Sequence, residues 1–359
     1  MIAIHTRYVD TVKDHVREGK QHSIYRSSII RDVLALHGTE AACSEYPFQV
    51  KFMDEPGLDF GGVTRDMYCA FWASAYESHF DGSNVLVPLM QAGMEQTTFV
   101  QFGRVLAHGF LTCQMLPIRI AFPTLACSLI STSVAISDRI LLTTFLDFLA
   151  PYEGEIISEA LTEADHPDVK DFPQKSAVES ILGRFGARKL PSKGNLRNLI
   201  RDIAELLFVI QPLPACHLMH SGIPPKHVEF WSSLTTDELY AMYQGMAVSA
   251  KRIANSFVEP STYSNPNEER VYGYLLQCIG NLAQEELSLF LRFVTGSSVF
   301  CNWPIYITFN GLTGLACRPI AHCCTCMLEL SSAYESFFEF NKEMKTVLAE
   351  QSSFVMNAV

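Results

Sequence analysis

The residues best equipped for chemistry crowd near the C-terminal end, in the stretch RPIAHCCTCMLEL at 318–330. His322, Cys323, Cys324 and Cys326 fall there almost side by side. Two chemistries use such residues. A thiolate is a nucleophile that can carry an acyl group, and thiolates with imidazoles also bind zinc. Zinc fits the spacing poorly. Neighbours in an extended strand point to opposite faces, and two separated Cys-x2-Cys pairs are found neither here nor at the small cluster of Cys216, His217 and His220. The expectation is therefore no metal and no cofactor. On the nucleophilic reading the local residues leave several thiols to choose from. His322, just upstream, either assists proton transfer or only shapes the turn.

A second stretch, DEPGLDFGGVTRD at 54–66, is punctuated by Gly57, Gly61 and Gly62, as tight backbone geometry requires. Thr64 is placed to cap the helix that follows. Asp59 and Arg65 flank Gly61 and Gly62, and the expectation is an ion pair that pins loop to helix.

Periodicity supplies the elements around these stretches. Residues 1–22 are polar and read as a lead-in. Val50 to Met53 alternates like a short strand, and Met67, Phe71, Trp72, Ala75 and Tyr76 share one face of a helix. Residues 99–149 are helical and apolar, and 150–257 continue as helices broken by the loops PSKGN and QPLPA. EPSTYSNPNEER, 259–270, has linker chemistry. Beyond it, Val271, Leu275, Ile279 and Leu282 mark one helix. Leu287, Leu291 and Val294 mark another, closed by Gly296. Pro304–Phe309 and Cys324–Leu330 alternate as strands. Ser332 with Glu335 makes a capping box for a last helix whose buried stripe is Phe337, Phe338, Met344, Val347 and Leu348.

Bulk numbers bound the rest. A chain of 359 residues, 48% hydrophobic and 18% charged, is globular and long enough for two lobes. A net charge of -11 gives no electrostatic case for nucleic acid or an anionic membrane surface. The uncharged run Ile120 to Ile136 is shorter than a span of about 20 residues and reads as a core helix. Eleven scattered cysteines without a secretion signal read as reduced thiols, in a cytoplasmic or nuclear setting.

Three separated stretches, in order, resemble HECT-type ubiquitin ligases: DEPGLDFGGVTRD, FLRFVTGSS at 290–298, and RPIAHCCTCMLEL followed by Tyr334. FGRVLAHGF at 102–110 is a weaker match. The resemblance implies an α+β, bilobal fold. A larger, mainly helical N-terminal lobe (23–258) would be joined by a hinge (259–270) to a smaller mixed α/β C-terminal lobe (271–359). It implies Cys324 as the catalytic cysteine, because Pro319, Ala321, Leu328 and Leu330 then fall in register. His322, Cys323, Thr325 and Glu329 would stand beside it in support, and Asp59, Gly61, Gly62 and Arg65 would form a structural signature. The implied activity is a ubiquitin-protein ligase that accepts ubiquitin as a thioester from a conjugating enzyme and passes it to a lysine of a protein substrate. The conjugating enzyme would dock among the apolar helices after residue 150.

Departures from the family pattern are Arg318 for Leu, Cys323 for Thr, Glu329 for Asp, Ser331-Ser332 for the Pro pair, and Met356 where a Phe is usual, with Phe354 nearby. They support a second reading, a HECT-like module that binds ubiquitin or a conjugating enzyme without transferring it. HECT ligases usually carry substrate-selecting domains ahead of the catalytic one, so the expectation is a fragment or a short paralogue.

Overall fold

A computed structural model describes residues 2–53, 55–56, 59–91, 95–164, 172–350 of the chain. Gly57, Phe354 and Met356 lie outside them. By backbone packing the chain divides into two compact units. One comprises Met1–Ser74, Val105–Leu116 and Met242–Val359; the other comprises Ala75–Arg104 and Pro117–Ala241. The fold is α+β.

In the first unit, strands Gln21–Ile24 and Gln49–Phe52 pair in parallel. Alternation buries Val50 and Phe52 and exposes Gln49 and Lys51. The helix Gly62–His79 begins ten residues on from that strand and buries Met67, Tyr68, Phe71 and Trp72. His108, from the weaker matching stretch, is buried within this unit. Its Nε2 bonds the Glu45 carbonyl at 3.0 Å and its Nδ1 takes the Tyr68 hydroxyl at 3.0 Å, so its work is to satisfy buried polar groups.

The C-terminal part of this unit is a four-stranded sheet covered by helices. Its strand order is Phe257–Val258, Ile305–Asn310, Met327–Ser331, Ile320–His322. The first three run parallel and the last is antiparallel to its neighbour. The helices Pro266–Asn281, Gln284–Thr295 and Phe337–Ala349 pack on it, and their core includes Val271, Leu275, Leu291, Ile307, Leu328, Leu330 and Met344. Gly296 closes the second helix in the left-handed conformation, φ 76°.

Three local expectations change. The helix Pro266–Asn281 starts inside the expected 259–270 linker because Asn265 caps it, accepting from the Asn267 and Glu268 N–H groups. The last helix is capped by Ser336 rather than Ser332, and of the expected stripe Met344, Val347 and Leu348 are buried while Phe338 is 78% exposed and Phe340 is buried instead. The strand expected from Cys324 begins at Met327, because a tight turn takes Cys323–Thr325 and Cys326 adopts a left-handed conformation, φ 51°.

Among the described residues, the regular structure of the second unit is helical apart from a short antiparallel pair, Phe80–Gly82 with Leu86–Pro88. The helices Asp138–Phe148, Pro151–Ala164, Lys175–Arg184 and Leu196–Glu205 share a core around Phe145, Ile157, Leu182 and Ile200. The helix Phe122–Leu129 is buried along its whole length, and among the described residues no helix is long and apolar enough to cross a membrane. The QPLPA stretch, expected as a loop, instead leads straight into the helix Leu213–Gly222. Its prolines sit at the helix entry, where an N–H is not needed.

Candidate functional site

Cys324 sits at the centre of the turn that joins the antiparallel strands Ile320–His322 and Met327–Ser331. Three features hold the turn. The Cys326 N–H bonds back to the Cys323 carbonyl at 3.3 Å. Arg65 Nη2 donates to that same carbonyl at 2.6 Å. The strand that follows is anchored by the buried side chains of Leu328 and Leu330. The nucleophile candidate is thus fixed in backbone position while Thr325 beside it stays exposed.

The glycine-rich stretch lies directly against this turn. A Cβ on Gly62 would fall 2.6 Å from Cys323 Sγ, 2.9 Å from the Cys324 nitrogen and 3.0 Å from Cys324 Sγ. Only glycine permits that approach. Gly61 before it has φ +100°, a conformation that L side chains rarely adopt. Asp59 shapes the loop. Its carboxylate accepts from the N–H groups of Val50 and Gly61, both at 2.7 Å, from the Thr64 N–H at 3.3 Å and from the Thr64 hydroxyl. Asp59, not Thr64, therefore satisfies the first turn of the helix Gly62–His79.

Arg65 does not make the expected ion pair with Asp59. Besides Cys323, its guanidinium donates from Nε to the Thr295 carbonyl at 2.6 Å and lies over the Trp303 ring, 4.7 Å from the centroid. Arg65 ties the end of the FLRFVTGSS stretch to the cysteine turn. One residue on, the buried carboxylate of Asp66 is held at 2.7 Å by both Arg26 and Arg292. The three stretches that carry the family resemblance thus meet at one place. Trp303, Arg26 and the two carbonyl acceptors were not legible in the sequence, because no local pattern marks them.

Electrostatics favour ionised Cys324. The Cys323 thiol hydrogen-bonds to it, and the N–H groups of Phe60 and Gly62 stabilise its charged form. Together they outweigh partial burial and lower its pKa. Gly62 is the first residue of its helix, where N–H groups favour an anion. The neighbouring thiol moves the other way. Cys323 shares its proton with the Cys324 thiolate and is itself partly buried, which holds it protonated. Burial also raises Cys326.

Around the turn, His322 Nε2 lies 3.3 Å from Glu329 Oε2, and Asn310 donates to Glu329 Oε1 at 2.9 Å. Both bonds hold the Glu329 carboxyl below its ordinary range. Cys216 and His220, from the other Cys/His cluster, bond the backbone carbonyls of Thr124 and Ser128 in the second unit. The arrangement around Cys324 can do one thing well: present a stabilised, partly exposed thiolate on a hydrogen-bonded turn.

The family model for the HECT-domain (ubiquitin-transferase) matches residues 60–357. No curated protein matches the chain.

Proposed function

The chain belongs to the HECT family of ubiquitin transferases, and on that premise we propose that it loads ubiquitin on Cys324 as a thioester and passes it to a substrate lysine. The observation that carries this reading is the thiolate environment of Cys324, built from the N–H groups of Phe60 and Gly62 and the Cys323 thiol. In the first step Cys324 Sγ attacks the thioester carbonyl that joins ubiquitin to the conjugating enzyme. The C–S bond to that enzyme breaks, and its thiolate leaves. One thioester replaces another, so the step is nearly balanced. Its requirements are thiolate and proximity rather than a strong driving force.

In the second step a lysine amine attacks the new thioester, loses a proton, and expels Cys324 as thiolate. His322 and Glu329, 3.3 Å apart on the two strands that flank the turn, form an acid–base pair beside it, and we assign them to orienting the amine and taking its proton. Asp59, Gly61, Gly62 and Arg65 position the turn rather than react. The 259–265 segment is proposed as the hinge that opens access to the partly exposed thiol, and the reduced cysteines suit a cytoplasmic or nuclear setting.

For the conjugating enzyme, the second unit offers an apolar stripe. Leu206 (38% exposed), Ile210 (54%) and Leu213 (37%) recur at helical spacing along 206–213. Leaving three such side chains in water is unfavourable unless a partner covers them. A conjugating enzyme is the partner that the family reading requires. A single-turnover discharge of labelled ubiquitin from a charged conjugating enzyme, with Cys324→Ala, Cys323→Ala and Cys326→Ala run beside wild type, tests the reading. A reductant-sensitive adduct lost only in Cys324→Ala supports it. No adduct across a broad set of conjugating enzymes overturns it and leaves a binding module.

A further inference from the structure

The turn holds a second thiol, Cys323, that does not itself carry ubiquitin in the proposed transfer. Every cysteine of the chain is buried except Cys323 and Cys324, which are partly exposed. These two are adjacent in sequence, and their sulfurs both lie against Gly62, whose Cβ would stand 2.6 Å from one and 3.0 Å from the other. The Cys323 thiol is hydrogen-bonded to Cys324. Cys326 turns away, its sulfur 3.8 Å from the Cys323 carbonyl and 4.0 Å from Arg65 Nη2.

We propose that Cys323 and Cys324 form a reversible oxidation site, in which a hydroperoxide oxidises Cys324 and Cys323 closes a disulfide on it before further oxygen can be added. Cys324 thiolate attacks the outer oxygen of the hydroperoxide. The O–O bond breaks, Cys324 becomes a sulfenic acid, and the alkoxide leaves to be protonated as an alcohol. Cys323 then gives its proton to solvent, and its sulfur attacks the Cys324 sulfur and expels hydroxide, which becomes water. Two thiols and one hydroperoxide yield a disulfide, an alcohol and water. The proton that Cys323 shares with the Cys324 thiolate is no longer held there once oxidation removes that charge. Neighbouring Cα atoms are about 3.8 Å apart, short of the usual disulfide span of about 4.4–6.8 Å. The bond is therefore strained and easily reduced, as a protective cap must be.

The inference rests on Cys324 being the reactive thiol, and its test does not need ubiquitin. The full chain is treated with hydrogen peroxide, unfolded in urea and blocked with iodoacetamide, then digested and mapped by mass spectrometry. In wild type the peptide bearing the turn should be two hydrogens lighter and alkylated only at Cys326, and dithiothreitol should restore alkylation at both other cysteines. In Cys323→Ser, Cys324 should run on to sulfinic acid that dithiothreitol does not recover. Equal sulfinic acid in wild type and Cys323→Ser, or a bridge mapped to Cys326, overturns the proposal. A chain that bridges but never loads ubiquitin sinks the ligase reading alone, and a chain that loads but never bridges sinks this inference alone.

Discussion

At the residue scale, the chemistry turns on how Cys324 holds a negative charge. Its thiolate is stabilised by the Cys323 thiol and by the N–H groups of Phe60 and Gly62 against partial burial. Because thiolate is the reactive form, alkylation of Cys324 by iodoacetamide should show its inflection below the ordinary thiol value of about 8.5. Reactivity should persist as pH falls below neutrality and fade only as pH drops through the lowered pKa. Stability follows the same sign for the Phe60 and Gly62 N–H groups, whose contribution is fully present above the ordinary thiol pKa and is lost as pH falls through the lowered one, whereas the proton shared with Cys323 raises that thiol and its contribution fades as pH rises. Cys323→Ala removes the first stabilising partner and should move the inflection upward, and an unmoved inflection would show that Cys323 does not act on Cys324. The sequence singled out Cys324 only through the family resemblance, by its register with Pro319, Ala321, Leu328 and Leu330. What stabilises it was not legible, since two of its three donors, the N–H groups of Phe60 and Gly62, lie more than two hundred residues away and are backbone groups with no side-chain signature.

At the element scale, the loop before the helix Gly62–His79 and the turn Cys323–Thr325 fit together only if position 62 has no side chain. Gly62→Ala puts a methyl against a backbone nitrogen and two sulfurs that are already anchored, a form of overpacking that costs about 1–3 kcal/mol. Urea unfolding should show the loss, with a change in the Cys324 alkylation rate as the turn is displaced. Arg65→Lys should not rescue Arg65→Ala. A fork reaching two carbonyls and a Trp face is a guanidinium geometry that a single ammonium cannot reproduce. Pairwise sequence reasoning joined Arg65 to Asp59 because they are near neighbours. The long arginine stem instead reaches Thr295 and Cys323, and the short Asp59 side chain is consumed by its own loop. In the last helix, Met344, Val347 and Leu348 are buried as the spacing implied, but Phe338 is out of phase with that stripe and Phe340 fills its place. On the other unit, Ile210→Asp should slow discharge of a charged conjugating enzyme while leaving Cys324 alkylation unchanged. Unchanged discharge would remove the 206–213 stripe as the docking face.

At the scale of the whole molecule, the first unit is assembled from segments far apart in sequence, and Asp66 is one of its fasteners. The carboxylate is 1% exposed and bound by Arg26 from one segment and Arg292 from another. Asp66→Ala would remove the buried carboxylate that Arg26 and Arg292 share, while Arg26 keeps Glu55, and breaking such a buried pair costs up to about 3–5 kcal/mol. A clear fall in melting temperature is expected, and a change of less than a degree would contradict the role given to Asp66. The strands Ile305–Asn310 and Met327–Ser331 and the helices Pro266–Asn281 and Gln284–Thr295 were readable because strict alternation or helical spacing marks one buried face. The division into two units was not, since contacts that return the C-terminal segment to residues 1–74 leave no trace in local periodicity.

The most direct test of the central claim is a carrier swap at the nucleophile. Cys324→Ser exchanges sulfur for oxygen with little change in shape, so ubiquitin received from a charged conjugating enzyme should remain on it as an ester that dithiothreitol does not release, whereas the wild-type adduct is released. Peptide mapping should place that ester at residue 324. If Cys324→Ser still forms an adduct that dithiothreitol removes, another cysteine carries ubiquitin and the assignment of Cys324 is wrong.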